Sequence, residues 1–281
     1  MTWLKRLFYP LYIYPRTTGN TKKRLHELFS FYKKRQEEGN SEVKGNLKLF
    51  SNMEEDGIIL NLLASINVAK GYFVDVGSND CINSNCANLA FNFDWSGVFI
   101  DADKKLLNIG KRNYKFFGKK QDLKFVDCFL FPENINDVVG NHVSTKEIDF
   151  MSIDIDGNDY AIWQALEVVK PKLVVIENKI ELGKVEIVIP AQPTFSSDEW
   201  GASIVSMTKL SEEKSYTLVA INCEGFNGFY MRNDCFEMSG LRPLALETVL
   251  SNDSIMASFY SENKMSELIK RTKSTITQIK H

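Results

Sequence analysis

Carboxylates at the ends of short apolar runs are the residues of this chain best placed to do chemistry. Tyr72-Phe-Val-Asp75-Val-Gly77-Ser78-Asn-Asp80 and Ile148-Asp-Phe-Met-Ser-Ile-Asp154-Ile-Asp156-Gly-Asn158-Asp-Tyr160 each pass from apolar residues into an acidic, glycine-containing turn. Gly97-Val-Phe-Ile-Asp101 lies between them. A carboxylate at such a strand end can accept a hydrogen bond from an amine or a hydroxyl, and Gly77 lets backbone approach a ligand closely. The turn is not a GxGxxG pyrophosphate loop, because Ser78, Asn79 and Asp80 stand where glycines would be needed. Asp80 would also repel a diphosphate. The turn therefore suits a cationic or zwitterionic ligand better than a nicotinamide dinucleotide. Asp101, 26 residues beyond Asp75, is placed for the two hydroxyls of a ribose. The competing explanation is that Asp75 and Asp101 merely cap the helices that follow them.

These side chains need a scaffold, and the pattern around them supplies one. Strands are expected at 72–76, 97–101, 123–127, 149–154 and 172–177, with helices near 84–93, 103–113, 133–140 and 158–168. Such alternation implies a doubly wound, mostly parallel Rossmann-like α/β sheet with right-handed crossovers, which binds ligands at the carboxyl ends of its strands. After Glu177 the pattern changes. Val185–Ile189 reads as an extra strand and 202–210 as a helix. Tyr216–Asn222 and Gly228–Arg232 read as an antiparallel hairpin at one edge. Ile162, Trp163 and Leu166 fall at helical spacing and belong to the core. Tyr160, Phe195 and Trp200 are expected to wall the ligand edge, with 192–203 as a specificity-setting lid.

Before the first strand, 21–38 forms a basic helix and 53–66 an amphipathic one. Residues 7–15 are apolar and aromatic, but Pro10 and Pro15 interrupt a continuous amphipathic helix there. Packing on the chain's own surface is the simpler expectation for this stretch. Peripheral contact with a membrane or a partner complex, through residues 1–15, is the sharper one. The simplest division is an N-terminal helical appendage over 1–50, an α/β domain over 51–235 and a C-terminal helical extension over 236–281.

Composition narrows the class. Lys and Arg number 34 against 36 Asp and Glu, a net charge of −2 that argues against a general nucleic-acid binder. The cysteines Cys81, Cys86, Cys128, Cys223 and Cys235 form no CxxC pair, so neither a zinc site nor a disulfide framework is indicated. A reducing, cytoplasmic setting is expected, with a membrane-peripheral one as the variant. No stretch approaches the roughly 18 apolar residues of a spanning helix.

In order along the chain, Asp75-Val-Gly77, Asp101 and Phe125-Val-Asp127-Cys128 resemble the successive motifs of class I S-adenosylmethionine-dependent methyltransferases. A narrower set is similar to the FkbM-type group: Glu54-Glu-Asp-Gly-Ile-Ile59, Asn83-Ser-Asn-Cys-Ala-Asn-Leu89, Ser152–Tyr160, Pro171–Glu177, Gly201-Ala-Ser203 and Gly225–Tyr230. That group is associated with O-methylation of sugars, glycans and related natural-product hydroxyls. The resemblance covers roughly 50–235. Asp80 departs from it, since the wider superfamily often has glycine there.

The resemblance implies that S-adenosyl-L-methionine is the cofactor. Asp75, Gly77 and Ser78 would hold its methionine end, Asp101 its ribose, and Asp127 and Cys128 would lie near its adenine. Asp154, Asp156 and Glu177 would be the catalytic residues. Residues two apart on a strand share a face, so Asp154 and Asp156 converge if the chain is still extended there. One carboxylate would deprotonate the acceptor hydroxyl, if burial or a like charge raises its pKa. Alternatively Asp154 and Asp156 would hold Mg²⁺, which lowers the hydroxyl's own pKa. His26, His142 and His281 are poorly placed to act as base.

The acceptor is expected to be a carbohydrate or a similarly polar small molecule rather than nucleic acid. Loops 79–88 and 192–203 would border it. Asn85, Asn88 and Trp200 are its candidate contacts, joined by Asn158 and Asn178 at the acidic edge. Two other classes stay open. Asp154-Ile-Asp156 also fits the metal-binding DxD of a nucleotide-sugar glycosyltransferase, although that explains neither Asp75 nor Asp101. A methyltransferase-like fold without catalysis, serving as a partner in a polysaccharide assembly complex, is the other.

Overall fold

The computed structural model describes residues 9–43, 45–118, 121–193 and 195–279, with side chains as far as 273. Its centre is a seven-stranded sheet in the order β3-β2-β1-β4-β5-β9-β8. The strands are β1 (Tyr72–Val76), β2 (Ser96–Asp101), β3 (Leu123–Asp127), β4 (Phe150–Ile153), β5 (Leu173–Glu177), β8 (Tyr216–Ile221) and β9 (Asn227–Arg232). The five strands from β3 across to β5 are parallel, whereas β9 runs antiparallel to both β5 and β8. The expected Rossmann-like sheet and its edge hairpin are therefore present. A small separate ribbon pairs β6 (Val188–Ile189) with β7 (Gly201–Ala202).

Period-two alternation sorts the side chains of each strand onto two cores. Phe73, Phe99, Phe150, Val175, Phe229 and Met231 face one layer. That layer includes α1 (Tyr9–Arg16), α2 (Gly19–Glu37), α3 (Glu55–Ser65), α4 (Ala87–Phe93) and α5 (Lys104–Phe117). Val74, Ile100, Met151, Ile153, Ile176 and Tyr230 face the other. It contains α6 (Ile135–His142), α7 (Asp159–Ala165) and α8 (Ile204–Glu213), together with Ile162, Trp163 and Leu166. Beyond the sheet come α9 (Asn233–Ser239), α10 (Leu246–Leu250), α11 (Asp253–Met256) and α12 (Glu262–Ile279).

The N-terminal region differs from expectation in two places. The prolines do not prevent a helix over 9–16: Pro10 sits in the first turn, where its missing N–H has no intrahelical acceptor, and Pro15 is the penultimate residue. Tyr9 and Ile13 of α1 are buried, while Leu11 and Tyr14 are exposed. The rest of the stretch expected to make a peripheral contact, residues 1–8, lies outside the described residues. Helix α3 is not amphipathic but buried all round, Glu55 and Asp56 included. It lies between the sheet and α2, so both of its faces are covered. Asp56 is tolerated there because its Oδ2 accepts the N–H groups of Leu49, Phe50 and Ser51 and the Ser51 hydroxyl. No helix among the described residues is long and apolar enough to cross a membrane.

Candidate active site

The sheet reverses its winding between β1 and β4, and the carboxyl ends of these strands open into a cleft of about 400 Å³. Gly77, Asp101, Cys128, Asp154, Asp156 and Asn158 line it. A narrow inner recess of about 30 Å³ continues from it past Gly77 and Asp154, lined by Glu55, Asp75, Ser84, Asn85 and Asn227 among others.

The turn after β1 explains why residue 77 is glycine. Its φ is +79°, and a Cβ there would come within 1.7 Å of the Asp154 carbonyl oxygen. The amides of Gly77 and Ser78 both reach the Ile100 carbonyl, at 3.0 and 3.1 Å, which ties the turn to β2. Ser78 is buried, with its hydroxyl also on Ile100, so it shapes the turn without lining the cleft. Asp101 is held by the N–H groups of Asn79 and Asp103, each at 2.7 Å on a different oxygen. Each carboxylate oxygen keeps a second lone pair for a ligand hydroxyl. Burial raises the pKa of Asp101, and those two N–H groups oppose the rise. Asp75 lies deeper. Burial pushes it up to about 7, against the Ser84 hydroxyl that donates to it at 2.5 Å.

The acidic cluster forms around β4 and β5. Carboxylate oxygens of Asp154, Asp159 and Glu177 lie within 4.8 Å of one another. Asp156 takes φ +55°, so the chain has left the extended conformation that was to bring it beside Asp154. The expected Asp154–Asp156 pair is replaced by Asp154, Asp159 and Glu177, and Asp156 is an exposed residue of the cleft wall. Asp154 is reachable from the cleft but ringed by protein. Burial is the main cause of its raised pKa, and Asp159 and Asp156 add repulsion. Glu177 is raised too, by burial and then by Asp154 and Asp159. Asp159 is pushed up to about 6 by burial, while the N–H groups of Ile155 and Gly157 on its two oxygens pull the other way. Three carboxyls this close repel one another when charged, so burial and repulsion together favour their protonated forms.

Several candidates stand away from this centre. Asp127 is exposed outside the cleft, 3.4 Å from Lys104, because alternation turns it off the face that carries Cys128. Asn88 is buried in α4, with its carbonyl on the Asn92 amide. Asn178 is buried too and joins the Phe226 carbonyl and the Tyr230 hydroxyl, fastening β5 to the β8–β9 turn. Trp200 packs behind the acidic turn: a Cβ on Gly157 would meet the Trp200 Cβ at 2.6 Å. Phe195 is not a wall residue but is buried with Leu182, Ile189 and Leu268, beneath the Arg271 guanidinium. Asp80 does not face the cleft. Its carboxylate is buried and takes the Tyr9 hydroxyl and the amides of Ile82 and Asn83.

Sequence reasoning missed other residues. Asp159 reads locally as turn and N-cap chemistry; its carboxylate ties the preceding turn through the N–H groups of Ile155 and Gly157, so nothing local marked its place in the acidic cluster. Glu55 reaches the recess from far upstream, and its Oε1 accepts the side-chain amides of Asn222 and Asn227 at 3.0 and 3.1 Å. Its signal was its place in the Glu54-Glu-Asp-Gly57 motif. Phe129 lines the cleft beyond Cys128 and is 59% exposed, a flat apolar face in the same cleft wall as Asp101. An aromatic residue following the third strand end was the available clue.

No protein-family model matches the sequence, and no curated protein matches it. Similar solved structures exist at low identity. An O-methyltransferase from Bacillus cereus in complex with S-adenosylhomocysteine is 14% identical, with 73% of this chain and 89% of that one covered at a TM-score of 0.42. TrmK of M. capricolum, bound to the same cofactor product, is 12% identical, with 78% and 84% covered at 0.40. A SAM-dependent methyltransferase from Aquifex aeolicus is also 12% identical, with 64% and 89% covered at 0.40.

Proposed function

We propose that the protein is an S-adenosylmethionine-dependent methyltransferase that methylates a hydroxyl oxygen of a sugar, glycan or similarly polar small molecule. One observation supports this above the others: Asp101 at the end of β2, Asp75 of β1 in the inner recess, and Asp154 after β4, which belongs to the carboxyl cluster with Asp159 and Glu177, open onto the same cleft. Asp101 would take the ribose hydroxyls, Phe129 and Cys128 would flank the adenine, and Gly77 would admit the methionine portion towards Asp75 and Glu55. The acid-lined recess fits a zwitterionic, positively charged ligand. Bound there, the cofactor supplies a methyl group on a cationic sulfur.

The chain's own part is to hold the acceptor and take its proton. In its ionised form Asp154 is the base, and burial, with like-charge repulsion from Asp159 and Asp156, raises its proton affinity. Asn85, whose side chain donates to Ser152 at 3.3 Å, and Asn158 offer amides to acceptor hydroxyls. The near-neutral charge and the acidic cleft disfavour polyanionic acceptors, which need clustered cations. The nucleotide-sugar reading is not favoured, since Asp156 does not pair with Asp154 and an acid-lined cleft repels a diphosphate. Calorimetric titration with S-adenosylhomocysteine and, separately, with a nucleotide sugar tests the choice. Binding of the first alone is expected; binding of the second alone would sink the proposal. Turnover with glycan acceptors separates an enzyme from a non-catalytic partner.

A further inference from the structure

The turn between Asp75 and Asp101 has a backbone that side-chain-bearing residues rarely adopt. Asn79 and Cys81 have φ values of +50° and +59°. Such residues persist where their surroundings over-determine them. Here Asp101 takes the Asn79 N–H, and the Tyr114 hydroxyl donates to the Cys81 carbonyl at 2.8 Å. Gly110 lets α5 come close beneath, since a Cβ there would lie 2.6 Å from the Asp80 carbonyl oxygen.

The remaining hold comes from α1. Tyr9 is fully buried, and its hydroxyl donates to Asp80. The Asn83 side-chain amide donates in turn to the Tyr9 oxygen at 2.9 Å. Asp80 Oδ1 accepts the N–H groups of Ile82 and Asn83 at 3.0 Å each. Asn83 lines both the cleft and its inner recess. Packing alone would be served by phenylalanine at position 9. A buried phenol joined to a buried carboxylate and to a cleft-lining amide does more than fill space.

We propose that Tyr9 is a positioning residue for the cofactor turn, so that the N-terminal helix forms part of the cofactor site without touching the cofactor. The proposal rests on the methyltransferase reading above. The phenol fixes the Asp80 carboxylate and the Asn83 amide, and through them the turn 79–83, whose Asn79 and Asn83 line the cleft.

The experiment measures S-adenosylhomocysteine affinity by calorimetry on the full chain, together with apo melting temperature. Wild type, Tyr9→Phe and Asp80→Asn are compared well below their melting points. Each variant should bind roughly 10- to 100-fold more weakly, as expected for losing a hydrogen bond to a charged group. A merely structural role would lower the melting temperature and leave the affinity of the folded protein unchanged, and that result overturns the proposal. Should neither variant fold, hydrogen exchange on wild type decides. Ligand should slow exchange both in 79–83 and in 9–16; protection confined to 79–83 overturns the proposal. A wild type that does not bind S-adenosylhomocysteine defeats the methyltransferase reading itself, and this inference with it.

Discussion

Two groups of carboxyls stand along the strand ends, all raised by burial but surrounded differently. At the ends of β1 and β2, donors are aimed at the acids: two backbone N–H groups on Asp101 and the Ser84 hydroxyl on Asp75. At β4 and β5, the neighbours of Asp154 and Glu177 are other acids, and burial and repulsion keep protons on them. Donors stabilise charge; crowded carboxyls retain protons. On the proposed function, the first group would grip a ligand with hydroxyls and a cationic group, and the second would accept a proton.

Breaking the second group should have the largest consequence. Asp154→Asn should cut turnover by roughly 10²–10⁴, the range for a positioned base, while S-adenosylhomocysteine affinity stays near wild type. Unchanged turnover would place the base elsewhere. Breaking the first group should do the reverse. Asp101→Ala should weaken cofactor binding by about 1.5–3 kcal/mol, since the acceptor is charged, with turnover at saturating cofactor largely kept. Wild-type affinity in that variant would remove Asp101 from the site.

The contrast also sharpens with pH. A base must be ionised, so the raised pKa of Asp154 should place the rising limb of kcat/KM well above the ordinary carboxylate value of ~4. Stability should move the other way. The folded chain holds the protons of the β4–β5 acids more tightly than the unfolded one, so their stabilising effect is complete below pH ~4 and is lost as pH rises through the raised values. Melting curves of wild type against Asp154→Asn across that window should show a flatter slope in the variant; identical slopes would contradict the proton-holding cluster. The smallest effect expected is that of a chelator. Both oxygens of Asp159 already accept backbone N–H groups, so EDTA should leave turnover within about twofold of its starting value. A collapse reversed by Mg²⁺ would reassign the cluster as a metal site.

Local pattern was enough for much of this architecture. The alternation of strands and helices announced the doubly wound sheet, and strand-end patterning placed Asp75, Gly77, Asp101 and Asp154 along one edge, because these residues lie where a strand ends. Asp127 failed for the same reason it was chosen: it ends its strand but points to the wrong side. Asn88 and Asn178 look like exposed amides in a one-dimensional reading, yet they are spent on Asn92, Phe226 and Tyr230 inside the fold.

What the sequence by itself determined is the order of elements and the positions of acids along the ligand edge, since both follow from short-range periodicity and turn composition. What tertiary structure decided is which acids meet. Asp154, Asp159 and Glu177 come together because β4 and β5 are neighbours and the left-handed backbone at Asp156 turns Asp159 inward instead. Glu55 and Tyr9 reach the same site from segments before the first strand, through the layer that α1 and α3 form against the sheet. No spacing along the chain encodes those meetings, because they depend on how whole layers pack, and packing sums contacts among residues far apart in sequence.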